Sequence, residues 1–222
     1  LLDMAAGSIT RFLSSDNHNL KYAGITGLSA IVKDHPRYAA EHQMAVIDCL
    51  EDPDETLKRR TLDLLYTMIN PVNVEFITDK LLSFVESAGD SYWRADLAKR
   101  VVQCAERFAP SSSWYVQVMA RVFVAAGELI GPEVAHNLMQ LIAEGGEEVE
   151  EEDTEQLRRN AVEIFAALFG KSRLPDSLAQ TIAWVLGEYS YVATDTLDLK
   201  AITAELCNMI STRTFKDPTT KG

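Results

Sequence analysis

Two histidines and a cysteine recur at seven-residue spacing and are the strongest candidates for metal chemistry. His35, His42 and Cys49 would lie on one face of a helix, about two turns apart. The helical rise of 1.5 Å per residue separates neighbours in this set by about 10 Å, whereas donors to one ion lie within about 4 Å of each other. We therefore predict no metal site. We expect His35 at a helix start, and His42 and Cys49 on the surface and in the core of a helix.

Two further groups contain residue types that are found in enzymes. Ser15, Asp16 and His18 lie in a predicted turn, and nothing beside them indicates a strained nucleophile turn or an oxyanion hole. Gly24 and Gly27 form a Gly-x-x-Gly sequence, but no strand precedes it, as a phosphate-binding loop requires. We expect these glycines to allow close packing of helices. The sequence thus predicts neither catalytic nor cofactor-binding residues, and we expect that the protein is not an enzyme.

The elements that carry these residues are predicted to be helices. Turn and capping residues recur about every 18 to 22 residues, which leaves room for ten or eleven helices of roughly 12 to 17 residues. Trp114, Trp184 and Tyr189 stand among aliphatic residues at helical spacing, so packing in the core or between subunits is expected. The turn signals lie at 14–17, 34–36, 51–54, 70–71, 89–90, 110–112 and 131–132.

The helices repeat in pairs. A hydrophobic residue followed by a basic one recurs near the start of a helix, and apolar or small residues follow it at +5, +8, +11 and +12, on one helical face. The four copies begin at Leu20-Lys21, Leu57-Lys58, Trp93-Arg94 and Leu157-Arg158. A two-helix unit of about 36 to 40 residues is typical of HEAT and armadillo repeats. We therefore predict an all-α solenoid of such pairs; an irregular all-helical domain is the alternative.

Composition limits the possible functions. The 222 residues are 47% hydrophobic and 24% charged, and their net charge is −12. An acidic chain lacks the basic footprint of a nucleic-acid-binding protein. No apolar run reaches the roughly 20 residues that span a bilayer. The three cysteines, Cys49, Cys104 and Cys207, are sparse and lie in apolar surroundings, so we predict reduced core residues of a cytosolic protein.

One segment interrupts the repeats. Residues 144–155 contain eight acidic residues and no basic one. Like charges at this density repel each other, and the pair Gly145-Gly146 disfavours helix. We predict a solvated, mobile loop at 145–153 that is dispensable for folding; a regulatory site or a site for a basic partner is the alternative. Residues 1–222 are otherwise predicted to be a single helical-repeat segment, and we expect it to be a fragment of a longer chain.

Several segments resemble the large adaptin subunits of vesicle adaptor complexes. They are EHQ at 41–43, VIDCLEDPD at 46–54, LKRR at 57–60, LLY at 64–66, AERFAP at 105–110, WY at 114–115 and WVLGEY at 184–189. They occur in the family's order and cover most of residues 8 to 190. Residues 46–58 and 134–145 are most similar to epsilon-adaptin of the fourth adaptor complex, and gamma-adaptin is the second choice. Ser190 stands where the family commonly has glycine.

This resemblance implies a non-catalytic trunk segment that holds a heterotetramer together. The partners would be a second large chain, a medium chain and a small chain, and the complex would select cargo for vesicles on trans-Golgi or Golgi-derived membranes. The chain itself would be cytoplasmic. None of the family's phosphoinositide-binding, dileucine-binding or GTPase-binding motifs is matched, so no site residues are carried over. A transport receptor or a phosphatase scaffold is the alternative.

The charge pattern predicts that this segment does not itself bind membranes. Its longest basic cluster, Lys58-Arg59-Arg60, follows four acidic residues within the preceding nine positions. Each basic residue near an anionic leaflet contributes only about 1 kcal/mol, and the net charge adds repulsion. The purified chain should remain at the bottom of a flotation gradient with phosphatidylserine or phosphoinositide vesicles in moderate salt. Salt-sensitive flotation would contradict this prediction.

Overall fold

The computed structural model describes residues 2–145, 151–169 and 174–212. These residues form eleven α-helices and two short 3-10 helices, and they contain no β-strand. The prediction of an all-α fold with ten or eleven helices is confirmed. The α-helices are α1 (Leu2–Leu13), α2 (His18–Asp34), α3 (Arg37–Asp48), α4 (Glu55–Met68), α5 (Val74–Ser87), α6 (Ser91–Phe108), α7 (Ser112–Ala126), α8 (Pro132–Glu144), α9 (Glu151–Ala166), α10 (Asp176–Tyr189) and α11 (Leu199–Thr212). The 3-10 helices are Cys49–Glu51 and Ser190–Ala193.

The helices begin at the predicted turn signals because polar side chains there satisfy free backbone donors. Asn17, Asp54, Asp90 and Ser111 each accept a hydrogen bond from an N–H two or three residues further on, at 2.7 to 3.2 Å. Such N-caps each contribute about 1 kcal/mol. Helix α8 instead begins with Pro132, whose missing N–H costs nothing in the first turn.

The chain divides into two compact units, Leu1–Lys80 and Leu81–Gly222, with the boundary inside α5. In the first unit, α1 packs against α2 and α3, and both α2 and α3 pack against α4. Each helix therefore contacts the next helix and also the one after it. This is the arrangement of stacked helical pairs, in which each pair covers the apolar face of its neighbour.

Helices that are near neighbours in the sequence also pack together in the second unit. Helix α6 packs against α7, and α7 packs against α8, α9 and α10. Helix α8 also contacts α9 and α10, and the 3-10 helix Ser190–Ala193 rests on both α9 and α10. Contacts between helices one and two places apart in the sequence again bury a continuous core.

The repeated apolar positions form these cores. In all four copies, the residues at +5, +8, +11 and +12 are buried except Ile31 and Phe169, which are half-buried. Full burial of an aliphatic or aromatic side chain contributes about 1.5–3 kcal/mol, so these faces outweigh the weak intrinsic stability of helices of this length.

The cysteine prediction is confirmed at two positions and wrong at the third. Cys49 and Cys104 are buried free thiols, whereas Cys207 is exposed. Cys207 lies on α11, where Ile202 is the only buried residue. Apolar neighbours in the sequence do not bury a side chain unless another element covers their face.

The end of the acidic segment belongs to a helix, although the sequence predicts a loop over 145–153. Helix α8 ends at Gly145, whose φ of +78° glycine adopts without strain. Residues 146–150 lie outside the described residues. Helix α9 begins at Glu151, so residues 151–153 belong to a helix and not to the predicted loop. Acidic residues are favourable in a first turn because the N-terminal end of a helix carries partial positive charge.

The two glycines of the Gly-x-x-Gly sequence differ in how closely α1 approaches them. A Cβ atom on Gly24 would lie 3.0 Å from Leu13 Cδ2 and 3.2 Å from Phe12 Cβ. A Cβ atom on Gly27 would lie 3.7 Å from the nearest atoms of Ile9, an ordinary contact. The predicted close helix packing is thus specific to Gly24.

This difference predicts opposite effects for two matched substitutions. Gly24→Ala should lower the free energy of unfolding by about 1 kcal/mol, because overpacking costs more than the gain in helix propensity. Gly27→Ala should leave the free energy of unfolding unchanged or raise it by up to about 1 kcal/mol. Urea denaturation followed by circular dichroism measures both. Equal effects of the two variants would contradict the close approach at Gly24.

Candidate interaction site

Two of the three residues tested for metal chemistry, His42 and Cys49, are buried, whereas His35 is exposed. His42 is buried, its ring stacks on Tyr38 at 6.5 Å between centroids, and its Nδ1 lies 3.5 Å from Thr10 Oγ1. The prediction that His42 lies on the helix surface is therefore wrong. Burial raises the pKa of Cys49 to about 11 and that of Cys104 to about 12, which keeps both thiols protonated and weakly nucleophilic. Within the described residues, no group of three His, Cys, Asp or Glu side chains is placed to hold a metal ion.

The turn after α1 also contains no triad geometry. The Ser15 hydroxyl accepts a hydrogen bond from the Asn17 N–H, as a turn residue does. His18 does not face Ser15. Its Nδ1 lies 2.7 Å from Oδ1 of Asp52, a residue 34 positions further along the chain. The side chains in this turn therefore serve to join helices.

Asp52 is the best-connected buried polar side chain of the first unit. It is only 4% exposed and lies in the turn before α4. Lys21, near the start of α2, donates a hydrogen bond of 2.8 Å to Oδ2, and the Asp54 N–H donates one of 3.0 Å to Oδ1. The carboxylate thus fixes the α3–α4 turn against the start of α2.

These partners also set the charge state of Asp52. Burial by itself raises the pKa of the carboxyl group. The hydrogen bonds from Lys21 and the Asp54 N–H, together with the charge of Lys21, outweigh burial and hold the pKa below its ordinary value. The same contact raises the pKa of Lys21. Asp52 and Lys21 are therefore an ion pair at neutral pH.

Sequence reasoning assigned Asp52 only to a turn. Two aspartates flank Pro53, and Asp54 alone caps α4. Asp52 does not cap α4 and accepts only the Asp54 N–H locally, which leaves its second carboxylate oxygen for a long-range partner. The basic residue that begins each repeat was visible, but its partner on another helix was not.

In the second unit, the corresponding basic residues bind the ends of preceding helices. Arg94 donates from Nε to the Ala88 carbonyl at 3.1 Å, just after α5. Arg158 donates to the carbonyls of Ile142, at 3.2 Å, and Ala143, at 2.6 Å, near the end of α8. The last carbonyls of a helix have no intrahelical donor, and positive charge is favourable there. In these two copies of the repeat, the basic residue therefore acts as a C-terminal cap.

The aromatic residues near the end of α10 support this cap. The guanidinium carbon of Arg158 lies 4.9 Å from the ring centroid of Tyr189, which is buried, and Tyr189 meets Trp184 edge-on at 5.4 Å. A cation held over a ring in this way contributes about 0.5–2 kcal/mol. Ser190, which follows Tyr189, has a φ of −58°, so this position does not require glycine.

Two observations bear on membrane binding: the charge of the basic turn and the character of the helices. Lys58 of the basic turn lies 3.1 Å from Glu55, which offsets part of its charge. Among the helices that the structure describes, none combines the length and the apolar character needed to cross a bilayer.

The second unit contains a surface groove. Its volume is about 460 Å³, and its walls are one face of α6, the turn after α7 and the start of α8. Apolar side chains line its base, and Tyr92 and Leu129 stand exposed at its mouth. Such a groove has the size of a binding pocket but no convergent catalytic groups.

The Asp52 contacts predict a pH-dependent loss of stability. Asp52→Asn should lower the free energy of unfolding by about 1–2 kcal/mol at pH 7, since it weakens charged hydrogen bonds. The folded-state pKa is depressed, so this stabilisation is present above the ordinary unfolded value of about 3.9. It is lost as the pH falls through the lower folded value. Urea denaturation across this range measures the difference.

Glu51→Gln provides the matched control, because this carboxylate is adjacent and exposed. It should change the free energy of unfolding by less than about 0.5 kcal/mol at every pH. A difference between Asp52→Asn and the unmodified chain that persists unchanged in acid would contradict the ion-pair account.

Comparison with known proteins identifies a family that matches almost the whole chain. The family described as "Adaptin N terminal region" matches residues 1–221. The AP-4 complex subunit epsilon of Arabidopsis thaliana is 46% identical over 222 residues, which is 100% of this chain and 24% of that protein. The human AP-4 complex subunit epsilon-1 is 36% identical over 194 residues, which is 86% of this chain and 17% of that protein.

A gamma-type relative follows. The mouse AP-1 complex subunit gamma-like 2 is 33% identical over 186 residues, which cover 84% of this chain and 22% of that protein. The chain thus spans about a quarter or less of the length of these relatives. The suspected resemblance to epsilon-type chains, with gamma-type chains next, is confirmed. With nearly all of its residues matched, this chain belongs to the adaptin N-terminal region family.

Proposed function

We propose that this chain is a non-catalytic trunk segment of the large subunit of a vesicle adaptor complex. The observation that carries the proposal is its 46% identity, along its whole length, to an AP-4 complex epsilon subunit. The repeated helical pairs support a framework role, because stacked pairs form an extended frame on which other chains assemble. Its surface provides contacts rather than chemistry.

The proposed partners are the other chains of such a complex: a second large chain, a medium chain and a small chain. The proposed location is cytoplasmic, on trans-Golgi or Golgi-derived membranes, where the complex would select cargo. Membrane attachment would come from other parts of the complex, since the basic turn of this chain is offset by adjacent acids. The identity to an AP-4 epsilon subunit exceeds that to the gamma-type relative, which favours the fourth adaptor complex.

Affinity purification of the full-length protein tests this proposal. Tagged protein expressed in its own cells should co-purify with one second large chain, one medium chain and one small chain in comparable amounts. Mass spectrometry identifies the chains, and fluorescence microscopy should place the tagged protein at perinuclear Golgi membranes. Partners of the AP-1 type would assign the chain to a different complex.

A matched variant pair connects the purification to this segment. Arg158→Ala should reduce recovery of the partners by destabilising the α8–α9 junction, whereas Arg159→Ala should not, because Arg159 pairs only with exposed Asp195 among the contacts described. Recovery of the tagged protein alone, with neither variant having any effect, would contradict the trunk assignment.

A further inference from the structure

The groove on the second unit has an apolar base and a polar rim. Val102 of α6 and Val134 of α8 line it and are each only 6% exposed, so the base is well packed. At the mouth, Tyr92 is 66% exposed and Leu129 is 40% exposed. Large apolar side chains beside a well-formed concavity are characteristic of surfaces that bind a partner.

The rim of the groove is predominantly acidic. Asp96 and Glu106 of α6 and Glu133 of α8 contribute three carboxylates, and Lys99 contributes one ammonium group. Three negative charges against one positive charge leave a local charge of −2. Complementary charge on a partner favours encounter and orientation, so the occupant should be basic. A second copy of this chain, with a net charge of −12, does not meet that requirement.

The length of the α6 wall fits a helical occupant. This wall extends over the 15 residues from Tyr92 to Glu106, or about 21 Å at a rise of 1.5 Å per residue. An amphipathic helix of about four turns has this length and presents apolar anchors at i, i+3, i+4 and i+7. Glu106, which lines the groove, accepts a hydrogen bond of 3.5 Å from Asn137 of α8.

We propose that this groove binds an amphipathic helix of a partner protein whose apolar stripe is flanked by lysine or arginine. The apolar stripe would pack on Val102, Val134 and Leu129, while the basic flanks would face Asp96 and Glu133. The inference goes beyond the trunk role and does not depend on which adaptor complex contains the chain. Because the charges lie on an exposed rim, they mainly determine which partner binds and how fast, and the apolar base supplies the affinity.

A designed peptide tests the proposal on the full chain. The probe is a fluorescein-labelled peptide of about 16 residues with leucine at i, i+3, i+4 and i+7 and lysines beside that stripe. Fluorescence anisotropy should show saturable binding that weakens as salt is raised, because salt screens the rim charges. The same peptide with glutamate replacing each lysine should bind at least about ten-fold more weakly, equivalent to about 1.4 kcal/mol.

Two variant pairs separate the groove from the overall acidity of the chain. The double variant Asp96→Asn/Glu133→Gln and the variant Leu129→Ser should each weaken the probe at least about five-fold, a little under 1 kcal/mol. Their controls are Glu75→Gln/Glu188→Gln, which removes two exposed charges elsewhere, and Val72→Ser, which removes a side chain that is 94% exposed. The controls should leave the dissociation constant unchanged.

Folding is verified by circular dichroism, and the charge variants keep the proposal testable if Leu129→Ser is unstable. A benzophenone placed at a central leucine of the probe should crosslink to residues 92–106 and 129–134. Equal weakening by the groove and control charge variants, or crosslinks spread over both units, would show binding to general negative charge and overturn the proposal. Failure of this binding leaves the co-purification of adaptor subunits unaffected, so the two proposals fail separately.

Discussion

Each helix of this protein has one apolar face, and the rest of the structure depends on covering that face. Isolated helices of 12 to 18 residues are marginal in water, so packing must stabilise them. In the first unit α2 packs on α4, and in the second α7 packs on α9. Contacts between helices one and two places apart recur in both units. The apolar residues recur at regular spacing because the packing of one helix against its neighbours also recurs.

Stacking creates a second requirement at the ends of the helices. Every helix leaves backbone carbonyls without donors at its C-terminal end. Arg94, near the start of α6, and Arg158, in the middle of α9, donate to carbonyls at or just beyond the end of an earlier helix. The Arg158 guanidinium also lies over the ring of Tyr189. One residue type at one position of the repeat thereby connects helix ends, and the ends determine how successive helices are placed.

The same architecture explains why recognition is expected on surfaces rather than in a catalytic centre. Buried polar groups such as Asp52 are paired with Lys21 to join elements. Where the face of α6 meets the start of α8, the packing leaves a concavity with an apolar base and an acidic rim. A framework built from repeats produces such grooves between helices, and the side chains along their rims decide what they bind.

The sequence by itself determined the number of helices, the starts of α2 to α8 and the buried faces of the repeats, because capping and 3.6-residue periodicity are local properties. Asp54 and Asp90 cap the helices that they precede. Only the tertiary structure decided which residues meet across the chain. Asp52 pairs with Lys21, 31 positions away, Gly24 but not Gly27 faces a close helix, and Cys207 remains exposed. Periodicity states which face of a helix is apolar, but the distance to the neighbouring helix, and whether a neighbour covers that face, depend on packing between elements remote in sequence.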